Sequence, residues 1–266
     1  MGLAALVAGL MWPATAGAQL TPRSPTVALD VVAGRTLAAR VAAAGDGTVH
    51  FSFAARPGVC GNGGNVHISS SRSEWEDDCE PGPVRVSLTR RDGQLTGLRS
   101  YVGGRWRTEP ERRVTDLGMV PAPAATAYLV GLAGALPATP ATAAIFPATL
   151  ADSVVVWPEL LRLARDSARP DELRRQAVFW VGQAAGAVVT RELSALVDEN
   201  DVDLAVRERA VFALSQRPDG EGVAALLRVA ETSASPTLRK RAIFWLGQSR
   251  DPRALVYFER VLAGQP

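Results

Sequence analysis

Two histidines, two cysteines and one acidic run are the residues of this chain whose types could carry chemistry. His50 and His67 are the only histidines among 266 residues, so a histidine-dependent nucleophilic triad would have to use one of them. His50 falls out of phase with Val49, Phe51 and Phe53, which places it on the solvent side of a strand. No His-Glu-x-x-His pair, phosphate loop or Gly-x-Ser-x-Gly elbow occurs. Gly61, Gly63 and Gly64 form a lone glycine-rich stretch that reads as a turn. The acidic run Glu74, Glu76, Asp77, Asp78 and Glu80 offers hard oxygen ligands of the kind calcium takes. It lacks the alternating spacing and mid-loop glycine of a calcium loop and reads as a solvated segment. No catalytic residue, cofactor site or metal site is assigned on these residues. Cys60 and Cys79 read as a disulfide if the chain is exported, with free thiols or a reactive or metal-binding pair as the alternatives.

Export is suggested by the first residues. An apolar run over 3–11, Pro13 and the small residues Ala16, Gly17 and Ala18 make a signal-like segment over 1–18, although a basic start is missing. The run is shorter than the ~20 residues of a membrane span, so no integral membrane segment is expected after signal removal. A formal charge of +2 gives no footing for nucleic acid. Lys240 is the only lysine, so almost all positive charge is arginine.

The elements that must position these residues change character near Pro121. Residues 19–119 read as a small α+β domain. Val49, Phe51 and Phe53 alternate with polar or small neighbours, as do Val84, Val86 and Leu88, the period of a half-buried strand. Asp92-Gly93 then predicts a tight hairpin turn into a strand over 95–102. An alanine-rich stretch over 31–44 predicts one helix. Residues 120–146 read as a linker or a degenerate first repeat, with one helical piece over 124–136.

From 147 to 266 the sequence repeats. Arg174, Ala177, Phe179 and Gln183 recur as Arg207, Ala210, Phe212 and Gln216, and again as Arg239, Ala242, Phe244 and Gln248. A second helix keeps the same register through Leu160, Leu193, Leu226 and Phe258, and through Leu163, Leu196, Val229 and Val261. The unit is a helix pair of roughly 33 residues, too thin to bury its apolar stripe without a neighbour. Pro170, Pro218, Pro236 and Pro252 stand near helix starts, with Asp or Ser available as caps.

The inner-helix pattern resembles that of bacterial HEAT-like repeats, most closely over Asp171, Arg174, Ala177 and Gly182. Ser215 departs from it by replacing the glycine. The resemblance covers the C-terminal half and implies an α-solenoid after the α+β unit, with helix dominating overall. Ala127 to Gly131 read as an eroded inner helix of a first copy. The resemblance further implies that Arg174, Arg207 and Arg239, with Ala177, Ala210 and Ala242, form a structural ladder between copies. A candidate interaction face is Phe179, Phe212 and Phe244 with Arg175, Lys240 and Arg241; packing and ordinary surface charge are the alternatives for these six. The expected function is an exported, non-catalytic scaffold for an unidentified protein partner. The other reading is a small ligand-binding or enzymatic module in the N-terminal unit, built around His50, His67, Arg56 or the acidic run.

Overall fold

The computed structural model describes residues 36–68, 79–106, 113–136 and 138–264. The signal-like segment and most of the acidic run lie outside these residues. Helix dominates, and a mixed sheet occupies the N-terminal part.

The first elements are α1 (Leu37–Ala43) and the strands β1 (Gly47–Phe53), β2 (Val59–Gly61), β3 (Val66–Ile68), β4 (Glu80–Pro81), β5 (Val84–Arg91), β6 (Gln94–Val102) and β7 (Val114–Met119). The helix expected over 31–44 is described from Leu37, where the Thr36 hydroxyl caps it by accepting from the Ala39 N–H. One sheet has the order β6-β5-β1-β7 and a smaller one the order β3-β2-β4. β1 pairs antiparallel with β5 and parallel with β7. The alternation read from sequence holds, since Val49, Phe51, Phe53, Val84, Val86 and Leu88 are all buried. The β5–β6 hairpin turns through Asp92 and Gly93, both at positive φ (52° and 71°), the geometry for which Asp-Gly is favoured. The Asp46 carboxylate accepts both turn N–H groups. A disulfide joins Cys60 and Cys79.

The opposite face of β1 corrects one expectation. His50 is buried, not solvent-facing. Its ring stacks on Trp106 with centroids 4.0 Å apart, so a side chain from the segment after β6 covers a position that alternation alone leaves open.

Among the described residues, nine α-helices follow: α2 (Ala122–Ala135), α3 (Ala138–Thr149), α4 (Trp157–Arg165), α5 (Asp171–Gly182), α6 (Ala187–Asp198), α7 (Leu204–Ser215), α8 (Val223–Thr232), α9 (Pro236–Gln248) and α10 (Pro252–Leu262). The stretch read as carrying one helical piece carries α2 and most of α3, and the boundary drawn at 147 falls inside α3. Ala144, Ile145 and Phe146 of α3 stand in the register of Ala242, Ile243 and Phe244 of α9. The earlier copy of the inner helix is therefore α3. Ala127–Gly131 belong to α2, its partner.

Packing follows the repeat. α2 packs on α3, α4 on α5, α6 on α7 and α8 on α9, while α3, α5, α7 and α9 pack on one another in series. Ala144, Ala177, Ala210 and Ala242 are fully buried along that series, where a small side chain lets helices approach closely. The apolar cluster is continuous from the sheet into the helix pairs, with the Phe51 ring edge-on to Tyr128 of α2 and Leu129 buried beside it in the same cluster.

Two glycines at equivalent positions separate an interior seam from an open end. A Cβ on Gly182 would lie 2.9 Å from the Ala213 Cβ, whereas one on Gly247 would meet only Phe258, at 3.9 Å. Gly182→Ala is expected to destabilise the protein by about 1–3 kcal/mol through overpacking. Gly247→Ala is expected to stabilise it by roughly 0.5–1 kcal/mol through helix propensity. Denaturant melts of the two variants check this; the same sign for both would contradict the packing described.

Candidate functional site

The recurring arginines reach carbonyls ten residues upstream. Arg174 Nε donates to the Ala164 carbonyl at 2.9 Å, and Arg207 Nε to the Val197 carbonyl at 2.8 Å. Ala164 and Val197 are themselves equivalent, so the bond repeats with the sequence. Arg174, fully buried, also pairs with Asp203, the residue preceding α7. Asp203 makes no side-chain bond into its own helix; its carboxylate is committed to the neighbouring copy. Arg239 departs from the series, donating to the Ser233 carbonyl at 2.5 Å, and Ser235 stands where Asp203 stood one copy earlier.

Arg217 was not singled out by the repeat, because it lies outside the matched helices. It is buried and spends its guanidinium on the α5–α6 connection. Nη1 donates to the carbonyls of Gly182 (3.0 Å) and Ala184 (2.5 Å), Nη2 to that of Gly186 (3.2 Å) and to Glu221 (2.9 Å), and Nε to the Thr190 hydroxyl (2.9 Å). No sequence signal marks it: the equivalent positions in the neighbouring copies are Ala184 and Ser249.

Further ion pairs link successive outer helices. Arg228 pairs with Asp198 and Arg260 with Glu231, equivalent positions one copy apart. Arg165 instead bridges Glu192 and Glu199.

The candidate interaction residues divide. Phe179 is half-buried and edge-on to Trp180, while Phe212 is half-buried against Trp245 with the Arg209 guanidinium over its ring. Phe244 is 53% exposed. Arg175 is already paired with Glu172 and Arg241 with Glu208; Lys240 is exposed.

The last copy differs from the others. Ile243 is 39% exposed, whereas its equivalents Val178 and Val211 are fully buried. On α10, Val261 is 51% and Leu262 87% exposed, while their equivalents Val229 and Ala230 are buried in α8. Earlier copies hide these positions beneath the next helix pair.

The N-terminal candidates do not converge. His67 is exposed on β3, opposite Cys60. His50 lies in the other sheet, opposite Asp116 and under Trp106. Burial holds the His50 imidazole below its ordinary value of 6.5, with Asp116 opposing that shift. Arg56 faces the helices. Among the described residues, no group of three His, Cys, Asp or Glu side chains gathers as a metal site would.

Compared with known proteins, the chain matches no family model and no curated sequence. Two outcomes test the geometry itself. Arg217→Ala orphans buried carbonyls and is expected to cost about 3 kcal/mol. Arg175→Ala removes only a surface pair and is expected to cost less than about 1 kcal/mol; comparable losses in denaturant melts would contradict this. For His50, a lowered folded-state value means that the unfolded chain binds the proton more readily. Stability is then full above about pH 6.5 and lost as pH falls through the folded value. His50→Phe, which keeps a ring on Trp106, is expected to flatten thermal stability between pH 7 and 5; an unchanged slope would contradict it.

Proposed function

We propose that this chain is an exported, non-catalytic scaffold whose HEAT-like repeats form an α-solenoid that binds a protein partner. The observation that carries this reading is the exposed apolar surface of α9 and α10 among the described residues. Ile243, Val261 and Leu262 are exposed at positions that are buried in earlier copies, which is the surface an additional helix covers. Exposed apolar surface of this kind marks an interaction site. The disulfide fits an extracellular or periplasmic setting, and no helix of the described residues is long and apolar enough to cross a membrane.

The charges at this end select the occupant. Within the stack, Glu208 of α7 receives Arg241 of α9. The position equivalent to Glu208 on α9 is Lys240, with Arg239 beside it. An incoming helix therefore needs an apolar stripe flanked by carboxylates, and an amphipathic helix of a partner protein with an acidic N-terminal turn meets both requirements. A second copy of this chain would bring Arg239 and Lys240 against their own kind. Phe179 and Phe212 act in this account as packing residues inside the stack, and Phe244 as part of the open surface.

The test uses the full chain and a labelled, acetylated peptide with the sequence of residues 170–185, whose first turn carries Asp171 and Glu172. Binding read by fluorescence anisotropy is expected to weaken at least about tenfold with Ile243→Asp, and similarly when both peptide acids become lysine. Equal affinity for the Ile243→Asp variant, no measurable binding, or sedimentation of the unliganded chain as a dimer through this end would overturn the proposal.

A further inference from the structure

Where the larger sheet meets the helices, backbone bonds fix the chain. The Arg56 N–H donates to the Leu150 carbonyl at 2.8 Å, the Asp152 N–H donates to the Ala54 carbonyl at 3.0 Å, and Ala55 forms an antiparallel bridge with Ala151. These bonds seat Arg56 against the turn from α3 into α4. In that turn Ser153 adopts a left-handed conformation (φ 55°), which costs a non-glycine residue roughly 1–2 kcal/mol. Val155 follows, 68% exposed. Beside this turn lies a pocket of about 270 Å³, walled by Trp157, Trp180, Leu160 and Val155, with Arg56 and Gln183 among its few polar side chains.

Arg56 is unlike the other arginines of the helical junctions. Arg174, Arg217 and Arg165 donate to carbonyls and carboxylates, with only the buried Arg174 Nη2 left without a partner. The Arg56 Nε is buried without a hydrogen-bond partner, and no described carboxylate pairs with the guanidinium. An arginine cannot shed its charge, and a buried, unpaired donor on a charged group is costly. A cation that lacks a partner among the described residues, set in a concave apolar wall of two tryptophans, has the composition of a ligand site. Such sites are mostly apolar, with few polar groups to fix orientation.

We propose that this pocket binds a small carboxylate with an apolar body. The carboxylate accepts hydrogen bonds from the Arg56 guanidinium, and the body lies against Trp157 and Trp180. The volume is slightly below the ~300 Å³ lower end for drug-sized ligands, so the body is no larger than one aromatic or long aliphatic side chain. Two sources carry this chemistry, a free carboxylic acid and the C-terminal residue of a peptide. The site is separate from the open end of the helix stack, and its existence does not depend on that end binding a partner.

Calorimetric titration of the full chain with 3-phenylpropionate, N-acetyl-glycyl-phenylalanine and the C-terminal amide of that dipeptide tests it. At least one of the two acids is expected to bind. The dipeptide acid is expected to bind at least about tenfold more tightly than its amide if a chain terminus is the ligand, and 3-phenylpropionate more tightly than either if a free acid is. Arg56→Gln is expected to weaken the preferred acid by about tenfold or more while leaving the amide unchanged. That split is one that a merely structural arginine would not produce. If Arg56→Gln does not fold, the acid–amide comparison in the unaltered protein and the loss of acid binding in Trp157→Ala decide the matter. Equal affinities for the dipeptide acid and its amide with no preference for the free acid, acid binding unaffected by Arg56→Gln, or no heat from any probe up to about 10 mM would overturn the proposal.

Discussion

A helix pair cannot cover its own apolar stripe, and that shortfall organises this protein. Inner helices α3, α5 and α7 each carry a fully buried alanine and a buried β-branched neighbour, Ala144 with Ile145, Ala177 with Val178 and Ala210 with Val211. Both must face another helix to leave water. The next copy supplies that helix, and the requirement passes along the series α3, α5, α7 and α9. At one end the sheet and α2 close the series through Phe51, Tyr128 and Leu129. At the other end nothing among the described residues covers Ile243. The same physics that holds the interior together thus leaves an unmet demand at one surface.

The arginines act on the seams. Buried carbonyls at helix ends need donors, and Arg174, Arg207 and Arg217 provide them from neighbouring elements. Arg217 alone holds three carbonyls of the α5–α6 connection, which orients α6 for the following copy. Outer helices are linked by Arg228 with Asp198 and Arg260 with Glu231, exposed pairs that fix register more than they add stability. Against this background Arg56 stands out as a guanidinium whose Nε has no partner among the described residues.

Much of this was legible in the sequence, for identifiable reasons. Two helix types sharing one register exposed the helix pairs, and Asp92-Gly93 fixed the hairpin because few other residue pairs accept two positive φ angles. The misses are equally specific. Proline and threonine around Ala144–Phe146 disguised α3 as linker, although its Ala-Ile-Phe matches that of α9. Alternation placed His50 on the solvent side of β1, but Trp106 from the segment after β6 covers it and buries it. Arg217 and Arg56 lie outside any repeating position, and their surroundings are set by tertiary packing. The phenylalanines at 179 and 212 are half-buried within the stack, and only Phe244 is openly presented; a periodic pattern cannot distinguish the last copy from the rest.

The central claim is that each copy depends on being covered by the next, and that among the described residues Ile243, Val261 and Leu262 are left uncovered. Native-state hydrogen exchange along the chain tests it most directly, since local opening energies follow the packing that each element receives. The account predicts the slowest exchange in α5 and α7, with protection falling through α9 to its minimum in α10. Protection of α9 and α10 equal to that of α5 in the isolated monomer would contradict it.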